Sequence, residues 1–125
     1  GAIGEATVLK IVTNLVTGVT VKALAEAAAI THAHGVSLES LKTALESNAN
    51  YSALIGMKLP AIMKGDFTPH FSLENMLKDA NYALHLAAQV GIKATATQTA
   101  AEAMRQAQEK GLGEMDFSVI GEISG

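Results

Sequence analysis

The sequence predicts an all-α fold in which one long N-terminal helix carries about five further helices. Three observations predict it. Residues 4 to 35 run about thirty positions without a proline, bracketed by Gly4 and Gly35. Within them Val8, Ile11, Val12, Leu15, Val16, Val19, Ala23, Ala27 and Ile30 recur at helical spacing. Nowhere does the chain show the period-two alternation of a half-buried strand.

At 1.5 Å per residue the first helix spans roughly 45 Å, long enough to serve as a backbone for the others. His34-Gly35-Val36 ends it, with Gly35 taking the left-handed conformation of a C-cap turn. Ser37 caps a second helix through its hydroxyl, and Leu38, Leu41, Ala44 and Leu45 form that helix's buried stripe. A third helix follows over residues 52–64, with Leu54, Ile55, Leu59, Ile62 and Met63 apolar. Pro60 is expected to bend or restart it, since proline gives no N–H to the helical ladder. Residues 65–70 form a loop. Ser72 opens a fourth helix through Val90, which presents Leu73, Met76, Leu77, Ala80, Leu84 and Ala87 on one face and ends at Gly91. A fifth covers residues 95–110 and closes at Gly111-Leu112-Gly113. A short last helix begins after Asp116, with Val119, Ile120 and Ile123 as its apolar side.

Composition narrows the function. At 125 residues the chain is one domain, and 49% hydrophobic with 17% charged residues is the balance of an ordered globular protein. Aromatics are 4% and Trp is absent, so the core is built from Ala, Leu, Ile, Val and Met, which suits close helix packing. The net charge is −3 and the basic residues are scattered, which argues against nucleic acid as a partner. No uninterrupted apolar run reaches the 18 or so residues of a membrane span, so no membrane partner is expected. The absence of Cys excludes disulfide and thiolate chemistry and fits a cytoplasmic setting. The start at Gly1, without Met or leader, points to a piece of a longer protein.

Few residues suggest chemistry. Lys10 and Asn14 are four apart and share a helix face, and Gly18 continues that stripe with room for another molecule to approach. A lysine desolvated by apolar neighbours is a usable general acid or base, and an amide one turn away can hold a substrate oxygen or the lysine itself. Spacing alone favours an exposed lysine beside a helical asparagine. Lys78 and Asp79 read as a solvated charge pair on the fourth helix. His32 and His34 point in different directions near a helix end, and His70 and His85 stand apart, so no metal site is expected. A GxGxxG phosphate loop is lacking, as is any strand to precede one, so the chain holds no dinucleotide-binding domain of that kind.

Taken together, several blocks resemble one family. The run from Gly4 through Lys10 to Asn14 is similar to the GxxxKxxxN signature of the β-hydroxyacid dehydrogenases, which include 3-hydroxyisobutyrate dehydrogenase, tartronate semialdehyde reductase and the glyoxylate and succinic semialdehyde reductases. Phe71 through Lys78-Asp79 looks like that family's F-x-L-x-x-x-x-K-D segment, and Gly65-Asp66-Phe67 and Gly113-Glu114-Met115-Asp116-Phe117-Ser118 are similar to its other recurring pieces. The resemblance covers essentially the whole chain. It departs at Ala6, where a glycine would stand four before the lysine, and at Thr13, where an asparagine is common.

The resemblance implies that residues 1–125 are a C-terminal helical, substrate-binding and oligomerisation domain whose N-terminal Rossmann partner is absent. It implies an NAD(P)-dependent oxidoreductase acting on a small β-hydroxy acid or its semialdehyde, with NAD or NADP bound mainly by the absent domain. Lys10 would be the catalytic lysine and Asn14 would bind substrate. Lys78 would reach the cofactor, and Phe71 and Asp79 would line the cleft. A homodimer or higher homo-oligomer is expected, and no activity from the domain alone. Two alternatives stand beside this: a helical dimerisation or interaction module without the chemistry, and a 6-phosphogluconate-type or imine-reducing relative.

Overall fold

The computed structural model describes residues 4–122. It contains α1 (Glu5–Ala33), α2 (Leu38–Glu46), α3 (Ala53–Lys64), α4 (Leu73–Gln89), α5 (Thr95–Glu109) and a closing 3₁₀ helix (Phe117–Gly121). Among the described residues there is no strand, and Ser72 and Asp116 form an isolated antiparallel bridge. The all-α expectation holds, as does the single long helix on which the rest packs, since α1 touches every other element. The expected contribution of Ile123 lies outside the described residues.

Local chemistry sets the boundaries. Ser37, Ser52 and Ser72 each accept a backbone N–H three residues on, from Ser40, Ile55 and Asn75. At the end of α1, Gly35 takes φ of 73°. Its N–H donates to His32 O and that of Val36 to Thr31 O, which satisfies carbonyls the helix leaves open. The last element is a 3₁₀ turn, opened by the Asp116 side chain accepting from Ser118 N.

The expected stripe on α2 and the restart at Pro60 are corrected, and α1 buries a side that its spacing does not pick out. On α1 the buried residues are Ile11, Gly18, Val21, Leu24, Ala25 and Ala28, while Val16, Ala23 and Ile30 are exposed. Apolar residues surround this helix, so their spacing does not select one side. Nothing on α2 is fully buried: Leu38, Leu41 and Leu45 half-cover the core and Ala44 faces solvent. Helix α3 runs unbroken through Pro60. Proline withholds one bond there, but Ile55, Leu59 and Ile62 are buried on either side of it against Leu24 and Ala28 of α1, and that packing carries the helix across.

The larger core cluster joins Val21 to Leu73, Met76 and Leu77 of α4, Ala100 and Met104 of α5, and Phe117 and Val119. A buried ion pair ties α3 to the closing turn, and the same carboxylate holds the loop ahead of α4. Lys58 Nζ donates to Asp116 Oδ2 at 2.9 Å, the side chains being 5% and 2% exposed. Asp116 Oδ1 accepts the backbone N–H groups of His70 and Phe71. Ser118 donates to Oδ2 through both N–H and Oγ. Burial pushes the Asp116 carboxyl up, but the bonds from Ser118, Lys58 and Phe71 outweigh it and hold it at about 2, below the ordinary 3.8.

By length and mean hydropathy α1 as a whole could cross a membrane, although Lys10, Lys22 and Glu26 interrupt its apolar runs. In this fold it is the central helix of a bundle, and much of its surface is uncovered.

Candidate active site

The heptad-like stripe Lys10, Asn14, Gly18, Val21, Ala25, Ala28 runs along one side of α1. From Gly18 onward it is buried in the bundle. Asn14 is half-buried and Lys10 exposed, because the first turns of α1 project past the helices that cover the rest. A core-facing stripe that leaves the core in this way presents its last polar residues at the bundle's edge.

Helix α4 completes the group. Asn14 Nδ2 donates to Asp79 Oδ2 at 2.8 Å, a part-buried bond between residues 65 apart in sequence. Helix packing alone brings them together, because Asp79 follows Met76 and Leu77, which anchor α4 on α1 and α5. Asp79 is therefore not half of a solvated pair with Lys78. Lys78 is exposed on the same turn, and among the described residues neither Lys78 nor Lys10 has a carboxylate in ion-pair reach. Lys10 lies one turn, roughly 6 Å, from Asn14 along α1. This chain supplies no burial to desolvate its ammonium.

Phe71 sits apart from that cluster. It stands ahead of α4, whose turns from Leu73 to Asp79 add roughly 9 Å. Its ring packs edge-on against Phe117, with centroids 6.4 Å apart. Gly18 leaves no space for an outside molecule, contrary to expectation: a Cβ there would meet Met104 Cε at 3.0 Å and Met76 Sδ at 3.6 Å. Thr13, the departure beside Asn14, turns its hydroxyl back to Leu9 O at 2.8 Å. Among the described residues no three His, Cys, Asp or Glu side chains converge as a metal site.

The sequence reading missed Lys58, which its place on an apolar helix beside Leu59 disguised. It named Asp116 as a helix opener and as part of the Gly113–Ser118 block, without a role. The Asp-x-Ser spacing of Asp116 and Ser118 was the available signal.

On the flank of α1 formed by Val8, Val12 and Leu15, an open groove of about 590 Å³ runs between that helix and the end of α4. Leu86, Ala87, Val90 and Ile92 line its other side.

Comparison with known proteins agrees with this fold. The chain is 28% identical over 120 residues to glyoxylate/succinic semialdehyde reductase 1 of Arabidopsis thaliana, covering 96% of this chain and 42% of the relative. It is 30% identical over 120 residues to the cytokine-like nuclear factor N-PAC of Anopheles gambiae, covering 96% of this chain and 21% of that protein. The crystal structure of a 3-hydroxyisobutyrate dehydrogenase from Salmonella typhimurium superposes with a TM-score of 0.85 at 25% identity, over 90% of this chain and 40% of that one. The chain thus spans less than half the length of the relatives it matches. Residues 4–123 match the family model described as NAD-binding of NADP-dependent 3-hydroxyisobutyrate dehydrogenase. This chain belongs to that family.

Proposed function

We propose that this chain is the helical, substrate-binding half of an NAD(P)-dependent oxidoreductase that interconverts a small β-hydroxy acid and its semialdehyde. A Rossmann domain N-terminal to it would bind most of the dinucleotide. The observation that carries this reading is the stripe on α1 that leaves the core as Asn14, bonded to Asp79, and Lys10, open to a second body. Supporting it are the relatives' names and the 42% of the Arabidopsis enzyme's length that the match covers.

In this reading Lys10 is the general acid or base. In the oxidative direction its neutral amine takes the substrate hydroxyl proton; in reduction its ammonium returns one. The dinucleotide, when bound, accepts or supplies the hydride. Closure of the second domain over α1 supplies the desolvation of Lys10 that this chain does not. Asn14 binds the substrate with Asp79 behind it, while Phe71, packed on Phe117, stands apart from this group. Lys78 fits the cofactor side, because its exposed ammonium is unpaired among the described residues and suits a phosphate oxygen.

The test is steady-state kinetics on the full-length parent with a panel of small β-hydroxy acids and semialdehydes. Lys10→Ala should lower turnover by about 10² or more with the fold intact. A panel without a substrate, or an alanine variant as fast as wild type, would remove the assignment.

A further inference from the structure

We propose that Asp79 is a positioning residue that acts through Asn14, fixing which end of the amide the site presents beside Lys10. The proposal rests on the reading of Lys10 as acid or base. An ionised carboxylate only accepts hydrogen bonds. Of the two ends of the Asn14 amide, only the NH₂ can therefore face Asp79 Oδ2, and the 2.8 Å contact is that bond. The amide is planar, so Oδ1 is turned away from the Asp79 oxygen. Helical side chains lean toward their N-terminus, which sends the Asn14 side chain over the turn that carries Lys10. Asp79 thus settles Asn14 as an acceptor at that point.

The choice matters chemically. An acceptor beside Lys10 receives a hydrogen bond from the lysine ammonium or from a substrate hydroxyl. It repels a carboxylate or phosphate oxygen, which an NH₂ in the same place would attract. The substrate's hydroxyl, rather than its acid end, then lies against Asn14. An amide free to turn through 180° would not make that distinction. The bond is half-buried and held by two packed helices, where it is stronger than in water.

A double-mutant cycle in the full-length enzyme tests this. Asp79→Leu, which keeps the branched shape and removes the acceptor, should lower kcat about tenfold or more. In an Asn14→Ala background the same change should cost less than about twofold, because its route is already gone. Asp79→Asn can present either end of its own amide to Asn14, so its loss should fall between wild type and Asp79→Leu. Losses that multiply across the cycle would mean that Asp79 meets the ligand itself and would overturn the proposal. A second readout needs no turnover. In ¹⁵N spectra of this chain the Asn14 side-chain NH₂ resonances should shift in Asp79→Leu, and unchanged resonances would overturn the proposal. If no substrate is turned over, the dehydrogenase reading fails while the spectra still decide the amide's orientation.

Discussion

At Asp116 a single buried carboxylate gathers Lys58, Ser118 and the backbone of His70 and Phe71, and so joins three separate parts of the chain. Its folded pKa, about 2, lies below the ordinary 3.8. A depressed carboxyl stabilises the fold fully above its unfolded value and loses that contribution as pH falls toward the folded one. Acid unfolding should therefore steepen between about pH 4 and pH 2. Asp116→Asn should flatten that limb and cost about 2 kcal/mol or more at neutral pH, since the bonds it weakens are charge-assisted. Urea melts across that pH range check it, and identical slopes for variant and wild type would count against the network. Sequence reading could not reach this residue's role, because its partners other than Ser118 lie 45 to 58 positions away. Asn14 and Asp79 show the same limit: each reads as ordinary until packing joins them.

Among the elements, the helices and their caps were legible because their causes are local: the serine hydroxyls, Gly35, and the apolar stripe of α4. The buried side of α1 was not. That helix is apolar all round, and its burial is decided by small residues, Gly18, Ala25 and Ala28, which spacing does not flag. Two of the glycines separate packing from propensity. A Cβ on Gly121 would lie 2.7 Å from Ile62 Cδ1 and 3.4 Å from Ala25 Cβ, both buried. Gly121→Ala should cost about 1–3 kcal/mol, the range for overpacking a filled core. At Gly18 the nearest atom is the far end of Met104, a side chain that can yield, and alanine gains helix propensity of up to about 1 kcal/mol. Gly18→Ala should stay within about 1 kcal/mol of wild type. Equal losses at the two sites in thermal melts would contradict this account of the packing.

The whole molecule carries more apolar surface than a lone domain needs. Val90 is 70% exposed, Val16 and Ile92 61% and Leu9 52%, and the Val8–Ile92 groove lies open beside them. Surfaces of this kind are covered in use, by another domain or another subunit. The isolated chain should self-associate, with a sedimentation coefficient that rises with concentration, and should turn over no substrate without a dinucleotide-binding partner. A monomer at high concentration, or a catalytically active fragment, would contradict that. The family and the bundle follow from the whole chain, while the proposed chemistry hangs on the one projecting turn that carries Lys10. Chemical rescue tests that claim most directly: full-length Lys10→Ala protein assayed with increasing concentrations of a small primary amine such as methylamine. The account predicts a slow variant whose rate climbs with the free-amine concentration, since the amine supplies the proton acceptor that the side chain lost. A Lys10→Ala enzyme that runs at the wild-type rate, indifferent to amine, would contradict it.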